Sequence, residues 1–263
     1  MIDYARAAAL DPQRSTLFCN AGGVHRMRLD FDKAADLHHQ AIAVRPERTC
    51  PCFCLGFIYL NGQGPQAARD FLESMPAGID LDATPPITYV WWLLDTIDGR
   101  YDEALERLNS GPDEINWMQF YYPKAFLRAQ VHRLVGRSED ARVAYEDAVK
   151  NVQAQLADRP GDSRLHSALG QAYAGLGRRS EAIEEGRRGV TLLPYQKDKW
   201  AGPFRLKDMA MIYAMVGETA LALDTLDILA SIPSMAHLPE IMIDPSWNML
   251  RDEPRFQALG SAN

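Results

Sequence analysis

Ser163-Arg-Leu-His-Ser-Ala-Leu-Gly-Gln-Ala-Tyr-Ala-Gly-Leu-Gly177, continued by residues 178–194, is the stretch from which the fold is read. It holds a Leu-Gly pair (Leu169, Gly170), an aromatic ring (Tyr173), a turn glycine (Gly177), a small residue five positions on (Ala182) and a closing proline (Pro194). The glycine and the alanine recur. Gly99, Gly136, Gly177 and Gly217 are followed five residues later by Ala104, Ala141, Ala182 and Ala222, and Ala34 and Ala68 extend the series upstream. The six alanines are spaced by 34, 36, 37, 41 and 40 residues. A period of this length marks stacked supersecondary units, not a coiled coil, a βαβ unit or a propeller.

Each unit reads as two antiparallel helices joined by a tight turn. Small residues at the crossing (Gly56, Gly170, Ala34, Ala68, Ala182) let the two axes approach closely. The turn glycine supplies the positive φ that ends the first helix. Pro65 suits the first position of a second helix, where a missing N–H costs nothing. Tyr59, Tyr173 and Tyr213 fill the space between a pair and its neighbour. In these positions the chain resembles the tetratricopeptide repeat (TPR). The resemblance implies an all-α fold, an α–α superhelix (TPR solenoid) of about six helix pairs with a leading half repeat and a C-terminal cap. The half repeat, a second helix only, covers residues 1–14. The six pairs cover 15–236, as 15–48, 49–84, 85–121, 122–162, 163–202 and 203–236, and the cap covers 237–263. In such an array each pair touches only its neighbours. Tyr4, Ala7, Ala8, Leu10 and Pro12 carry the half repeat, which reads as the inside of a longer array. Trp247, Leu250, Phe256 and Leu259 are placed to cover the open face of the last pair. Gly186 and Gly189 depart from the repeat pattern. The expected compensation is close approach by the connector 195–203, with Trp200 filling the gap.

From Gly186 to Leu259 the chain is also similar to the C-terminal end of the TPR regions of bacterial signalling proteins. These are Ser/Thr kinases, winged-helix transcription regulators and adenylate-cyclase-like proteins. The residues that match are Gly186-Arg-Arg, Leu193-Pro, Lys197-Asp, Trp200-Ala-Gly-Pro203, Ala214–Gly217, Ser231-Ile-Pro233, Asp244-Pro245 and Leu250–Gln257. This similarity covers somewhat over a quarter of the chain. It implies a bacterial, cytoplasmic sensor or oligomerisation region in signal transduction, with an effector domain N-terminal to the repeats. Nothing in the 263 residues resembles that effector, so no catalytic role is carried over.

Composition narrows the classes further. Apolar residues make up 47% and charged residues 24%, enough to build a core and too apolar for a disordered chain. A net charge of −7 opposes a surface that grips phosphate backbones, so nucleic acid is not an expected partner. No run approaches the roughly 20 apolar residues that span a bilayer, so no membrane is expected either. Four cysteines in a chain of this length do not form a disulfide framework, and they point to a reducing compartment.

The chemistry-bearing residues do not assemble into a catalytic motif. There is no P-loop, His-Glu-x-x-His, Gly-x-Ser-x-Gly or kinase-type His-Arg-Asp, so the expectation is no enzyme, no cofactor and no metal. Cys50, Cys52 and Cys54 are the oddest local feature. On a helix Cys50 and Cys54 share a face and Cys52 points elsewhere, so the three do not converge on one ion. They read as small buried side chains, with metal or redox work, joined by Cys19, as the alternative. His38 takes an inward position and His39 is solvated. Asp95 and Asp98 read as surface or turn carboxylates.

The first helix of every pair lines the inner side of a TPR array. In this register the partner-binding groove comprises Arg26, Phe53, Phe57, Tyr89, Phe126, Arg133, Arg164, Gln171 and Lys207. Aromatic rings flanked by arginines suit an apolar peptide or helix with an acidic flank. The alternative is that Phe53, Phe57 and Phe126 pack among their own helices. The positions at which TPR domains clamp chaperone C-termini hold Cys19, Gly23 and Phe53, so that clamp is not expected. The function expected is a non-catalytic protein–protein interaction scaffold that binds a protein or peptide segment, with a homo-oligomer left open. A stand-alone adaptor or chaperone-like client-binding protein is the alternative.

Overall fold

Gly99, Gly136, Gly177 and Gly217 adopt φ angles of 72°, 75°, 71° and 79° in a computed structural model of the protein. Each ends a first helix in the left-handed conformation that glycine takes without steric cost. The structure describes residues 4, 7, 10, 11, 13–75 and 85–261. The half repeat expected over 1–14 therefore lies largely outside the described residues, as do positions 76–84 of the second pair.

The described chain is all-α apart from one short hairpin, and it divides into two compact units, residues 1–94 and 95–263. The first unit holds α1 (Ser15–Met27), α2 (Phe31–Val44), α3 (Thr49–Gly62), α4 (Pro65–Glu73) and most of α5 (Pro85–Ile97). Within it α1 packs on α2, α2 on α3, α3 on α4, and α1 on α3. That is the neighbour-to-neighbour pattern of stacked hairpins. Asp30 caps α2 by accepting from the Lys33 backbone N–H. Ala34 and Ala68 are fully buried at the crossings.

The second unit begins with α6 (Tyr101–Ser110). Strands β1 (Glu114–Asn116) and β2 (Tyr121–Pro123) follow and pair antiparallel, with Ile115 opposite Tyr122. Three helix pairs come next: α7 (Lys124–Leu134) with α8 (Ser138–Asp158), α9 (Ser163–Gly175) with α10 (Arg179–Leu192), and α11 (Gly202–Met215) with α12 (Thr219–Ala230). The chain closes with α13 (Leu238–Ile243), a 3-10 turn (Pro245–Leu250) and α14 (Pro254–Ser261). Ala104, Ala182 and Ala222 are again fully buried. A methyl added at Gly170 would lie 2.9 Å from both the Ala182 carbonyl oxygen and the Gly186 nitrogen, so the two helices of that pair touch backbone to backbone.

Three expectations are corrected here. Trp200 and its connector are not what approaches Gly186 and Gly189. A methyl at Gly186 would meet Ile212 Cδ1 and Met209 Sδ of α11, each at 2.6 Å, and one at Gly189 would meet Ser167 Oγ of α9 at 2.8 Å. The absent side chains admit the neighbouring helices themselves. Asp95 is not a surface carboxylate: it is 1% exposed, and Arg107 Nε donates to it at 3.0 Å. Contacts in the second unit also reach beyond adjacent pairs. Helix α14 packs on α12, but the 3-10 turn before it lies against both α11 and α7, and β2 touches α7, α8 and α9. Trp247 is fully buried there instead of covering only the last pair.

Candidate functional site

In the first unit, α1 and α3 are the first helices of successive pairs, so they run side by side in the same direction. Their contacts form a ladder. Arg48 Nη1 donates to Ser15 Oγ at 3.5 Å at one end, and the Arg26 guanidinium lies over the Phe57 ring, 5.1 Å from its centre, at the other. Phe57 continues the stack: Phe53 meets it edge-on at 5.2 Å, Tyr89 lies 6.1 Å away, and Tyr89 stacks on Trp92 at 5.6 Å. The structure thus brings Arg26, Phe53, Phe57 and Tyr89 together. All four are buried, at 4%, 5%, 4% and 6% exposure, so as found they are a cation-capped aromatic stack inside the unit.

His38 is 1% exposed and its Nδ1 pairs with the Ala34 carbonyl oxygen at 2.8 Å. Burial pulls its pKa down to about 4, against the raising effect of that hydrogen bond. His39 is exposed, but its Nε2 pairs with the Tyr59 hydroxyl at 2.8 Å.

In the second unit, the inner helices α7, α9 and α11 already hold polypeptide. Arg164 donates through Nη1 to the Trp117 carbonyl oxygen at 2.6 Å and to Asn116 Oδ1 at 3.1 Å, while Asp162 accepts its Nη2 at 2.7 Å. Arg205 Nη2 donates to the Gln119 carbonyl oxygen at 2.7 Å. Arg133 Nη2 donates to the Ser246 carbonyl oxygen at 3.2 Å, and the Ser246 hydroxyl meets Gln130 Oε1 at 3.3 Å. Two stretches of the chain, the hairpin and the C-terminal segment, are therefore held by their main chains.

Buried charge completes this site. Lys207 Nζ pairs with Glu240 of α13. Burial opposes the Lys207 ammonium, and the adjoining carboxylate more than offsets that, raising its pKa. Arg205 pairs with Asp208 at 2.9 Å, and Gln171 Nε2 donates to Asp208 at 3.2 Å. Burial raises the Asp208 pKa despite these partners. Phe126, 1% exposed, stacks on Tyr122 of β2 at 5.8 Å. So Phe126, Arg133, Arg164, Gln171 and Lys207 all lie where the inner helices meet the hairpin or the C-terminal segment, or support residues that do.

Sequence reasoning missed Arg205, Asp208 and Glu240, because charges on a helix are ordinarily assigned to solvent. The available signal was α11 itself, where Phe204 to Met211 leaves no continuous polar face. Among the described residues, no group of three or more His, Cys, Asp or Glu side chains is arranged to hold a metal ion. Among them, too, no helix is long and apolar enough to cross a membrane.

No protein-family model matches the chain, and no curated protein matches it. Solved structures do. The APC/C Cut9–Hcn1 hetero-tetramer aligns over 97% of this chain and 50% of that one, with 15% identity and a TM-score of 0.50. A tetratricopeptide repeat protein from Parabacteroides merdae aligns over 94% and 88%, with 13% identity and a TM-score of 0.49. MamA aligns over 69% and 93%, with 20% identity and a TM-score of 0.39. At these identities the likeness is one of fold: an all-α array of TPR-type helix pairs.

Proposed function

We propose that the chain is a non-catalytic protein–protein interaction scaffold. Its place in the cell, on this reading, is the sensor or oligomerisation region of a bacterial, cytoplasmic signalling or transcription-regulating protein. The observation that carries the scaffold reading is the grip of Arg133, Arg164 and Arg205 on the carbonyl oxygens of Ser246, Trp117 and Gln119. Charged donors aimed at main-chain carbonyls bind polypeptide whatever its side chains are. The partner is a protein or peptide segment. On this reading the partner is received on the inner helix faces that these side chains build from within, Arg26, Phe53, Phe57 and Tyr89 in the first unit and Phe126, Arg133, Arg164, Gln171 and Lys207 in the second. The signalling context rests on the similarity of Gly186–Leu259 to such regions. A net charge of −7 argues against nucleic acid as partner, and a second copy of the chain is an allowed one.

Site-specific photo-crosslinking tests the scaffold reading. A crosslinking side chain replacing Met27 or Arg164, on first helices, is expected to capture a discrete protein in the host. The same group replacing Val143, 45% exposed on α8, is expected not to. Equal labelling from all three positions would count against an inner binding face. A reading frame without a kinase, cyclase or winged-helix domain would remove the signalling context and leave the scaffold standing.

A further inference from the structure

Cys19, Cys50 and Cys54 are free thiols in this structure. The ladder between α1 and α3 fixes where they sit. Cys19 lies seven residues before Arg26 and Cys50 seven before Phe57, so each sits two helical turns down the same face as the residue of the pair that closes the ladder. Cys54 is one further turn along α3, on the same face as Cys50. Arg26 and Phe57 close the ladder above them. Cys19 of one helix and Cys50 of the other therefore face each other, and both remain partly accessible.

The two thiols are chemically unlike. Cys50 lies in the first turn of α3, where unpaired backbone N–H groups favour a negative charge. Hydrogen bonds from Cys19 and from Cys54 pull its pKa well down, outweighing burial, with the Arg48 guanidinium adding to the effect. The hydrogen bond with Cys50 holds the Cys19 and Cys54 pKa values up, and burial adds to it. Of the three, Cys50 is the one that gives up its proton most readily.

We propose that Cys50 and Cys19 form a redox-active dithiol that closes into a disulfide tying α1 to α3. The oxidant class is a hydroperoxide. The Cys50 thiolate attacks one peroxide oxygen, the O–O bond breaks, and the departing hydroxide takes up a proton as water. Cys50 is left as the sulfenic acid. Cys19 gives up its proton and attacks the Cys50 sulfur. The S–O bond breaks, the hydroxide leaves as a second water, and the S–S bond forms. Two thiols are oxidised by two electrons, and one hydrogen peroxide is reduced to two waters. Cys54 positions the Cys50 thiolate by donating its S–H.

The test uses the full chain, reduced, exposed to hydrogen peroxide, quenched with N-ethylmaleimide and read by intact mass and peptide mapping. The expected product has lost two alkylation sites and yields a crosslinked Cys19–Cys50 peptide. Cys19→Ser is expected to stop at a Cys50 sulfenic acid that dimedone traps. Cys50→Ser, with Cys50→Ala beside it in case one folds poorly, is expected to slow thiol loss by about tenfold or more, the advantage of a preformed thiolate at neutral pH. Four thiols that oxidise no faster than in urea would overturn the proposal. So would wild-type protein in which Cys50 pairs with Cys52 or Cys54.

Discussion

The first and fifth helix pairs solve one packing problem in two ways. Gly22 and Gly170 each stand twelve residues before the buried crossing alanine, Ala34 or Ala182. In the fifth pair the space over Gly170 is closed by backbone: the Ala182 carbonyl and the Gly186 nitrogen lie 2.9 Å from where a methyl would go. The residue four past the alanine is Gly186, and α11 fills the remaining gap. In the first pair the residue four past the alanine is His38, and its ring lies over Gly22, with Nδ1 2.3 Å from a methyl placed there. The turns differ as well. Gly177 takes its positive φ freely, whereas the matching residue of the first pair is Leu29, at φ 62°. Among the described residues Leu29 is the one non-glycine residue with a positive φ. A common helix crossing thus tolerates very different chemistry. The version built with a histidine and a leucine is the one that titrates and carries strain.

The largest effect is expected where the contact is backbone. Gly170→Val should cost about 3 kcal/mol in urea unfolding, because neither the Ala182 carbonyl nor the Gly186 nitrogen can yield without moving a helix. Truncating Ile212 in addition should restore little of the loss.

Comparable in size is a pH effect confined to the first unit. His38 has a folded pKa of about 4 against an ordinary 6.5, so the unfolded chain takes up a proton that the folded one refuses. Stability should be fully present above about pH 6.5 and fall as the pH drops toward 4, by about 1.4 kcal/mol per pH unit at the steepest. Amide exchange of α1 and α2 would report it, and His38→Gln should flatten the profile.

Gly22→Ala should cost about 1–2 kcal/mol, since a ring gives way more easily than a backbone. Combined with His38→Ala, most of the Gly22→Ala penalty should vanish, a coupling that a double-mutant cycle measures. Additive losses would mean that the ring is not the obstacle.

The smallest effect is at the turn. Leu29→Gly should gain about 0.5–1 kcal/mol by relieving the left-handed conformation, whereas Gly177→Leu should lose about 1–2 kcal/mol. Melting temperatures of the two variants would shift in opposite directions.

The repeat was legible because its signals are steric and local. A positive φ requires glycine, and a close crossing requires alanine or glycine, so Gly99, Gly136, Gly177 and Gly217 with their alanines appear in the sequence at fixed offsets. The hairpin was not legible. Glu114-Ile-Asn and Tyr121-Tyr-Pro are three-residue strands joined by a connection with no Asn-Gly or Gly-Gly signal, and the helices that cover β2 are α7, α8 and α9. The candidate site was half legible. Arg133, Arg164 and Lys207 were placed on the inner helices by register alone. What they hold depends on segments far away in sequence: Ser246 is 113 residues from Arg133, and Glu240 is 33 from Lys207. No local pattern encodes that. Asp95 misled because its partner Arg107 lies across a turn, and a carboxylate near a helix end is ordinarily wet.

The hairpin and the C-terminal segment also change how the second unit must fold. Helices that meet only their neighbours can zip from any starting point and tolerate the loss of a module. Ser246 bonded to Gln130 across 116 residues, and Arg205 to Gln119 across 86, close large loops before the inner side is complete. Closing them costs chain entropy that only the finished unit recovers. Residues 95–263 should therefore unfold in a single cooperative transition, and excising one hairpin from their middle should abolish folding instead of shortening the stack.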